Sequence, residues 1–140
     1  MNLHRAIVAL GLCFAVTSAL ALTASVAARP VVTVSIAGMV ESPDGVLRLN
    51  VQAWARGTLA SLAGKGLDTP IGIGPGECTV PLTGSAVGSV VTLSGAITQA
   101  TDPSNLGVTV TFIADASTGS ITFNFGGFVL EGTGLVVLNA

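Results

Sequence analysis

The chain has 140 residues, 50% of them hydrophobic and only 9% charged, with 18 Gly, no Tyr and a formal net charge of −2. That length suits one domain, and so apolar a chain (mean hydropathy +0.81) excludes intrinsic disorder. Five Lys plus Arg against seven Asp plus Glu leave no basic field for nucleic-acid phosphates, and glycines without a Gly-X-Y period exclude collagen.

Residues 1–28 read as an export signal. His4 and Arg5 form a short positive region, an apolar stretch follows from Ala6 to Leu22, and Ser25-Val26-Ala27 or Val26-Ala27-Ala28 fits small-x-small cleavage. The stretch also has the length of a membrane span, roughly 20 residues. A membrane-tethered domain with an uncleaved helix is therefore the alternative, but no cluster of charges follows as a stop-transfer flank. Leu10-Gly11-Leu12-Cys13 puts a bulky Leu where lipid modification of Cys13 wants a small residue. Cleavage leaves residues 29–140 as a single domain without a membrane segment. It keeps no His, one Cys, and four cations (Arg29, Arg48, Arg56, Lys65) against seven acids, a net charge of −3.

Beyond Ala28, period-two runs of Val, Ile, Thr and Phe alternate with Gly, Pro, Asn and Asp, the pattern of strands and turns. Val32, Val34 and Ile36 alternate with Thr33 and Ser35 in a first strand, and residues 41–45 (ESPDG) form a tight turn. In the next strand Leu47, Leu49, Val51, Ala53 and Ala55 point one way, while Arg48, Asn50, Gln52, Trp54 and Arg56 point the other. One dry face and one wet face mark an antiparallel sheet. Residues 58–66 (TLASLAGKG) are the one place a short helix fits, capped by Thr58. Residues 67–77 (LDTPIGIGPGE) read as a loop, since Gly and Pro are dense there.

Strands resume at residues 78–82 and 90–98, with a glycine-bearing turn at 83–89. Asp102 to Gly107 forms another turn. Val108, Val110, Phe112 and Ala114 alternate with Thr109, Thr111 and Ile113, and Ile121, Phe123 and Phe125 share the face opposite Thr122 and Asn124. Two short strands, 128–130 and 135–138, end the chain around Gly132 and Gly134. Seven or eight strands at about ten-residue spacing predict an all-β antiparallel sandwich, with a small β-barrel as the alternative. Val34, Ile36, Leu49, Val51, Leu93, Ile97, Val110, Phe112, Ile121, Phe123 and Val136 are the expected core. An outer-membrane barrel fits less well, because no Tyr and no aromatic girdle are present to mark the interfaces.

The trimmed inventory restricts chemistry. Nucleophilic catalysis with a histidine base has no imidazole to use. A Ser-Lys pair would need Lys65, which sits between two glycines and reads as a solvated turn residue. Paired carboxylates, as in glycosidases, are the remaining option. Glu41, Asp44, Asp102 and Asp115 fall in or beside turns, which leaves Glu77 and Glu131 as the pair for a carboxylate-dependent hydrolase. Zinc would need more Cys and His, and Asp102, Ser104 and Asn105 suggest calcium only by composition. No metal site and no cofactor are expected.

Gly64-Lys65-Gly66 lacks the hydroxyl and the spacing of a phosphate loop. The glycine run at 72–76 leads into no helix that would hold a phosphate. No Asn-x-Ser/Thr acceptor occurs. Cys78 reads as a buried apolar residue, with an intermolecular disulfide as the alternative. Trp54, among Arg48, Asn50, Gln52 and Arg56, is the strongest binding candidate, unless another sheet covers that face. The expectation is a secreted or cell-envelope module that binds without catalysis. Carbohydrate, another protein, or its own copies through a poorly charged strand edge are the partners in view.

Overall fold

The computed structural model describes residues 30–72 and 76–139. The expected signal segment, with His4, Arg5 and Cys13, lies outside the described residues, as do Arg29 and the centre of the 72–76 glycine run. Nine strands follow in chain order: β1 (Val32–Glu41), β2 (Arg48–Thr58), β3 (Ser61–Pro70), β4 (Cys78–Val87), β5 (Val90–Ala96), β6 (Gln99–Ala100), β7 (Thr109–Asp115), β8 (Ser120–Phe125) and β9 (Phe128–Asn139). One turn of 3-10 helix, Pro103–Asn105, sits between β6 and β7.

All pairings are antiparallel. The hydrogen-bonded order runs β1-β2-β3-β4-β5-β7-β8-β9, and β9 pairs back onto β1 from Thr33↔Asn139 to Glu41↔Glu131. The sheet therefore closes into an eight-stranded up-and-down barrel, while the two-residue β6 adds a short third pairing to β4. This corrects the expected sandwich in favour of its alternative. The pairings β1–β9 and β3–β4 join strands into one continuous ring, where a sandwich would have left two facing sheets. Closure also corrects the strand-edge route to self-association, since each barrel strand has a neighbour on both sides.

Eight strands enclose a space that side chains can just fill. Every expected core residue is buried, from Val34 and Ile36 on β1 to Val136 on β9. Phe112 and Phe123, in register across β7 and β8, meet edge to face with ring centroids 4.8 Å apart. The outward rows carry Thr33 and Ser35 on β1, Arg48 to Arg56 at alternate positions on β2, and Thr109 and Thr111 on β7. The same outer face also carries exposed Met39, Ile113, Val129 and Leu135.

Four local expectations are corrected. Residues 58–66 are no helix: they turn at 59–60 and enter β3, which pairs with β2 through Leu62, Ala63 and Gly64. The sheet holds this stretch extended on both sides, since β3 also pairs with β4 from Leu62 to Asp68. Gly64 lies so close to β2 that any Cβ there would collide with the Trp54 carbonyl oxygen. The predicted loop at 67–77 begins only after Pro70. The predicted turn at 83–89 narrows to Gly88 and Ser89, because β4 continues to Val87. The two final strands are one, β9, with Gly132 and Gly134 inside it.

One end of the barrel is formed by the segments 42–47, 71–72, 76–77, 97–108 and 126–127, and is called the mouth below. The other end carries the turns at 59–60, 88–89 and 116–119 together with the first residue of β1 and the last of β9.

Candidate functional site

Arg48, Asn50, Gln52, Trp54 and Arg56 all stand on the outer face of β2 and all are exposed. No second sheet covers Trp54, which keeps 56% of its surface in contact with solvent. Its cross-strand neighbours are Ser35 on β1 and Lys65 on β3. Lys65 is thus an exposed strand residue and not part of a turn. Gln52, Trp54, Lys65, Leu67 and Thr79 line an open groove of about 230 Å³ across β2, β3 and β4. An apolar ring bordered by amide, ammonium and hydroxyl groups can stack on a flat molecule and hydrogen-bond its rim.

A different site occupies the mouth. Asp68 on β3 and Cys78 on β4 are directly opposed in register, and both point inward. Asp68 is 3% exposed, and its Oδ2 has no hydrogen-bond partner among the described residues. Burial pushes its carboxyl up to about 6, and the neighbouring Cys78 thiol pulls it back in part. The Cys78 thiol, 2% exposed, is raised to about 11, first by burial and then by the charge of Asp68. The Asn105 amide donates to Cys78 Sγ at 3.8 Å. Together with Leu47, Leu49, Pro70, Gly76 and Phe125 these groups enclose a pocket of about 200 Å³.

Cys78 is buried, as expected. A thiol held protonated and out of solvent is a poor nucleophile. Iodoacetamide at pH 8 is expected to leave the Cys78 peptide unmodified in the native protein and to alkylate it fully in urea, as read by peptide mass spectrometry. Rapid native labelling would show that the Cys78 thiol is not held protonated.

Sequence reasoning missed Asp68 because it placed residue 68 in a loop. The available signal was parity: Leu62, Gly64, Gly66 and Asp68 share the inward positions of β3, opposite Ala63, Lys65, Leu67 and Thr69. Two glycines in that series erase its hydrophobic signature.

The other acids are held locally. Asp44 accepts from the Ser42 hydroxyl and from Val46 N–H at 3.1 Å, and the Ser42 bond holds its carboxyl below the usual range. Asp102 caps the 3-10 turn through Ser104 N–H at 3.0 Å, the main cause of its lowered value. Asp115 accepts from the Ser117 hydroxyl and the Ser89 hydroxyl, both at 2.7 Å, and is lowered by them in that order. Asp102 therefore serves its own turn. The described residues contain no group of three or more His, Cys, Asp or Glu placed to share a metal ion.

Glu77 enters β4 with its N–H bonded to the Thr101 hydroxyl at 3.1 Å. Glu131 is exposed on the outer face of β9, in register with Glu41 and Thr122. β4 and β9 lie four places apart around the ring of eight. The two glutamates are thus not brought together across a cleft.

The geometry defines a closed antiparallel barrel with an apolar interior, an exposed tryptophan groove and a pocket at the mouth that holds Asp68 and Cys78. Comparison with protein-family models, with curated proteins and with solved structures finds no match for this chain.

Proposed function

We propose that this chain is an exported, non-catalytic binding module that holds its partner on the outer wall of β2, β3 and β4. The observation that carries this reading is the exposure of Trp54, the single tryptophan, inside a groove bordered by Gln52, Lys65 and Thr79. An exposed indole among hydrogen-bonding side chains pairs a flat apolar face with polar groups at its edge, the combination used to anchor a partner. The groove suits one sugar ring stacked on the indole, with Arg48, Asn50, Gln52 and Arg56 extending the row along which a longer glycan would lie. Export to the cell surface or beyond, with residues 1–28 removed, would bring such a wall to extracellular polysaccharide. A protein surface is the second partner class, since exposed Trp and Arg are common anchors at interfaces.

Because Trp54 is the only indole, its fluorescence reports on this groove alone. The free protein is expected to show red-shifted, acrylamide-quenchable emission. Soluble cello-, chito- or malto-oligosaccharides should shift that emission and protect it. Trp54→Ala should weaken retention on the matching polysaccharide by at least about tenfold while changing stability by no more than about 0.5 kcal/mol, as for other exposed positions. Quencher-protected emission in the free monomer would end this reading. So would polysaccharide retention that does not depend on Trp54.

A further inference from the structure

We propose that the mouth pocket is a second binding site, built for a small organic amine with an apolar body, its ammonium set against Asp68 and its hydrocarbon against Leu49, Pro70 and Phe125. Three independent features carry this. The pocket, about 200 Å³, exceeds the roughly 150 Å³ that suffices for a benzene-sized guest. Its walls combine apolar side chains with very few polar atoms, the usual composition of a small-molecule site, and barrel mouths are a common place for one. Finally, Asp68 brings into this wall a carboxyl that is almost wholly removed from water and has an unpartnered Oδ2 among the described residues. A buried carboxylate without a counter-charge is expensive. An ammonium group would supply both the missing charge and the missing hydrogen-bond donor.

The chemistry around Asp68 selects the class of ligand. Across β3–β4 it faces Cys78, whose thiol stays protonated at neutral pH, so no second anion stands there to help grip a metal ion. The 3-10 segment brings the uncharged Asn105 amide, and β2 and β8 bring Leu49 and Phe125. Asp102, at the cap of the same segment, adds negative potential at Cys78. The titratable groups that bear on the pocket are thus Asp68, Cys78 and Asp102. None is a cation, and a positively charged guest meets no competitor.

Benzylamine is the probe, with benzyl alcohol and benzoate as near-isosteric controls, followed by chemical shifts of Leu49 and Phe125 and by calorimetry on the folded protein at pH 7.5. Benzylamine is expected to bind at least about tenfold more tightly than benzyl alcohol, the ratio that corresponds to a single well-placed charged contact. Benzoate should not bind. At pH 4.5 Asp68 is protonated, and the advantage of the amine should vanish. Asp68→Asn should abolish the same advantage while leaving any weak binding of benzyl alcohol in place.

Equal affinity for amine and alcohol would overturn the proposal, as would amine binding that survives Asp68→Asn, or no binding of any probe. Trp54 emission should stay unchanged throughout. Failure here therefore leaves the outer groove untouched, and failure of the outer groove leaves this site standing.

Discussion

Truncating Phe112 to alanine is expected to cost about 3–5 kcal/mol, the largest effect of any single core substitution proposed for this barrel. Phe112 is fully buried and packs edge to face on Phe123 near the middle of the interior. Neighbouring strands are tied to one another around a complete ring, so they cannot collapse into the hole without breaking ladder hydrogen bonds. Urea unfolding should register the loss as a lower midpoint with an unchanged slope. Ile113→Ala, one residue away but facing outward, should stay within about 0.5 kcal/mol. If the two substitutions cost the same, the interior is not packed as described. Gly66 provides a further check, because a Cβ there would press on Leu82 and Phe112. In the Phe112→Ala background Gly66→Ala should cost less than it does alone, since the two sites share one space.

Asp68→Asn is expected to act in the opposite direction and stabilise the protein by roughly 2 kcal/mol at pH 8. The folded-state carboxyl, at about 6, lies above its ordinary value of 3.8. The native state therefore binds this proton more tightly than the unfolded chain does. Stability from this group is fully present below about pH 4 and is lost as pH rises through 6. Asp44, Asp102 and Asp115 behave inversely: their lowered values give stability that is present above about pH 4 and lost as pH falls further. The wild-type urea midpoint should therefore pass through a maximum near pH 4–5. In Asp68→Asn the descending arm between pH 4 and pH 7 should disappear while the acid arm remains. A wild-type midpoint that climbs steadily to pH 7 would show that the Asp68 carboxyl is compensated.

The strands that could be read in advance were those with one apolar and one polar face. On β2 the alternation of Leu49, Val51, Ala53 and Ala55 with Asn50, Gln52, Trp54 and Arg56 sets both the strand and the side on which Trp54 emerges. β7 and β8 carry the same signal through Val110, Phe112, Ile121 and Phe123. β3 does not, because its inward positions are Leu62, Gly64, Gly66 and Asp68. Glycine is needed at 64 for the close approach to β2 and at 66 for room beside Phe112 and Leu82. Neither need leaves an apolar trace along the chain. The choice between barrel and sandwich was equally out of reach, since it depends on pairings between residues as distant as Thr33 and Asn139. The outer groove was thus half legible, through Trp54 and its row, but its Lys65 and Thr79 side was not. The mouth pocket was hidden with β3.

The seam between β1 and β9 joins the first described strand to the last. Loss of β9 as a whole would bare two flanks, one on β1 and one on β8, inviting cross-pairing between chains. The same seam sets Thr33 opposite Asn139, so a short tether could join β9 to β1 and new ends could be cut at Gly88-Ser89 without disturbing the wall order.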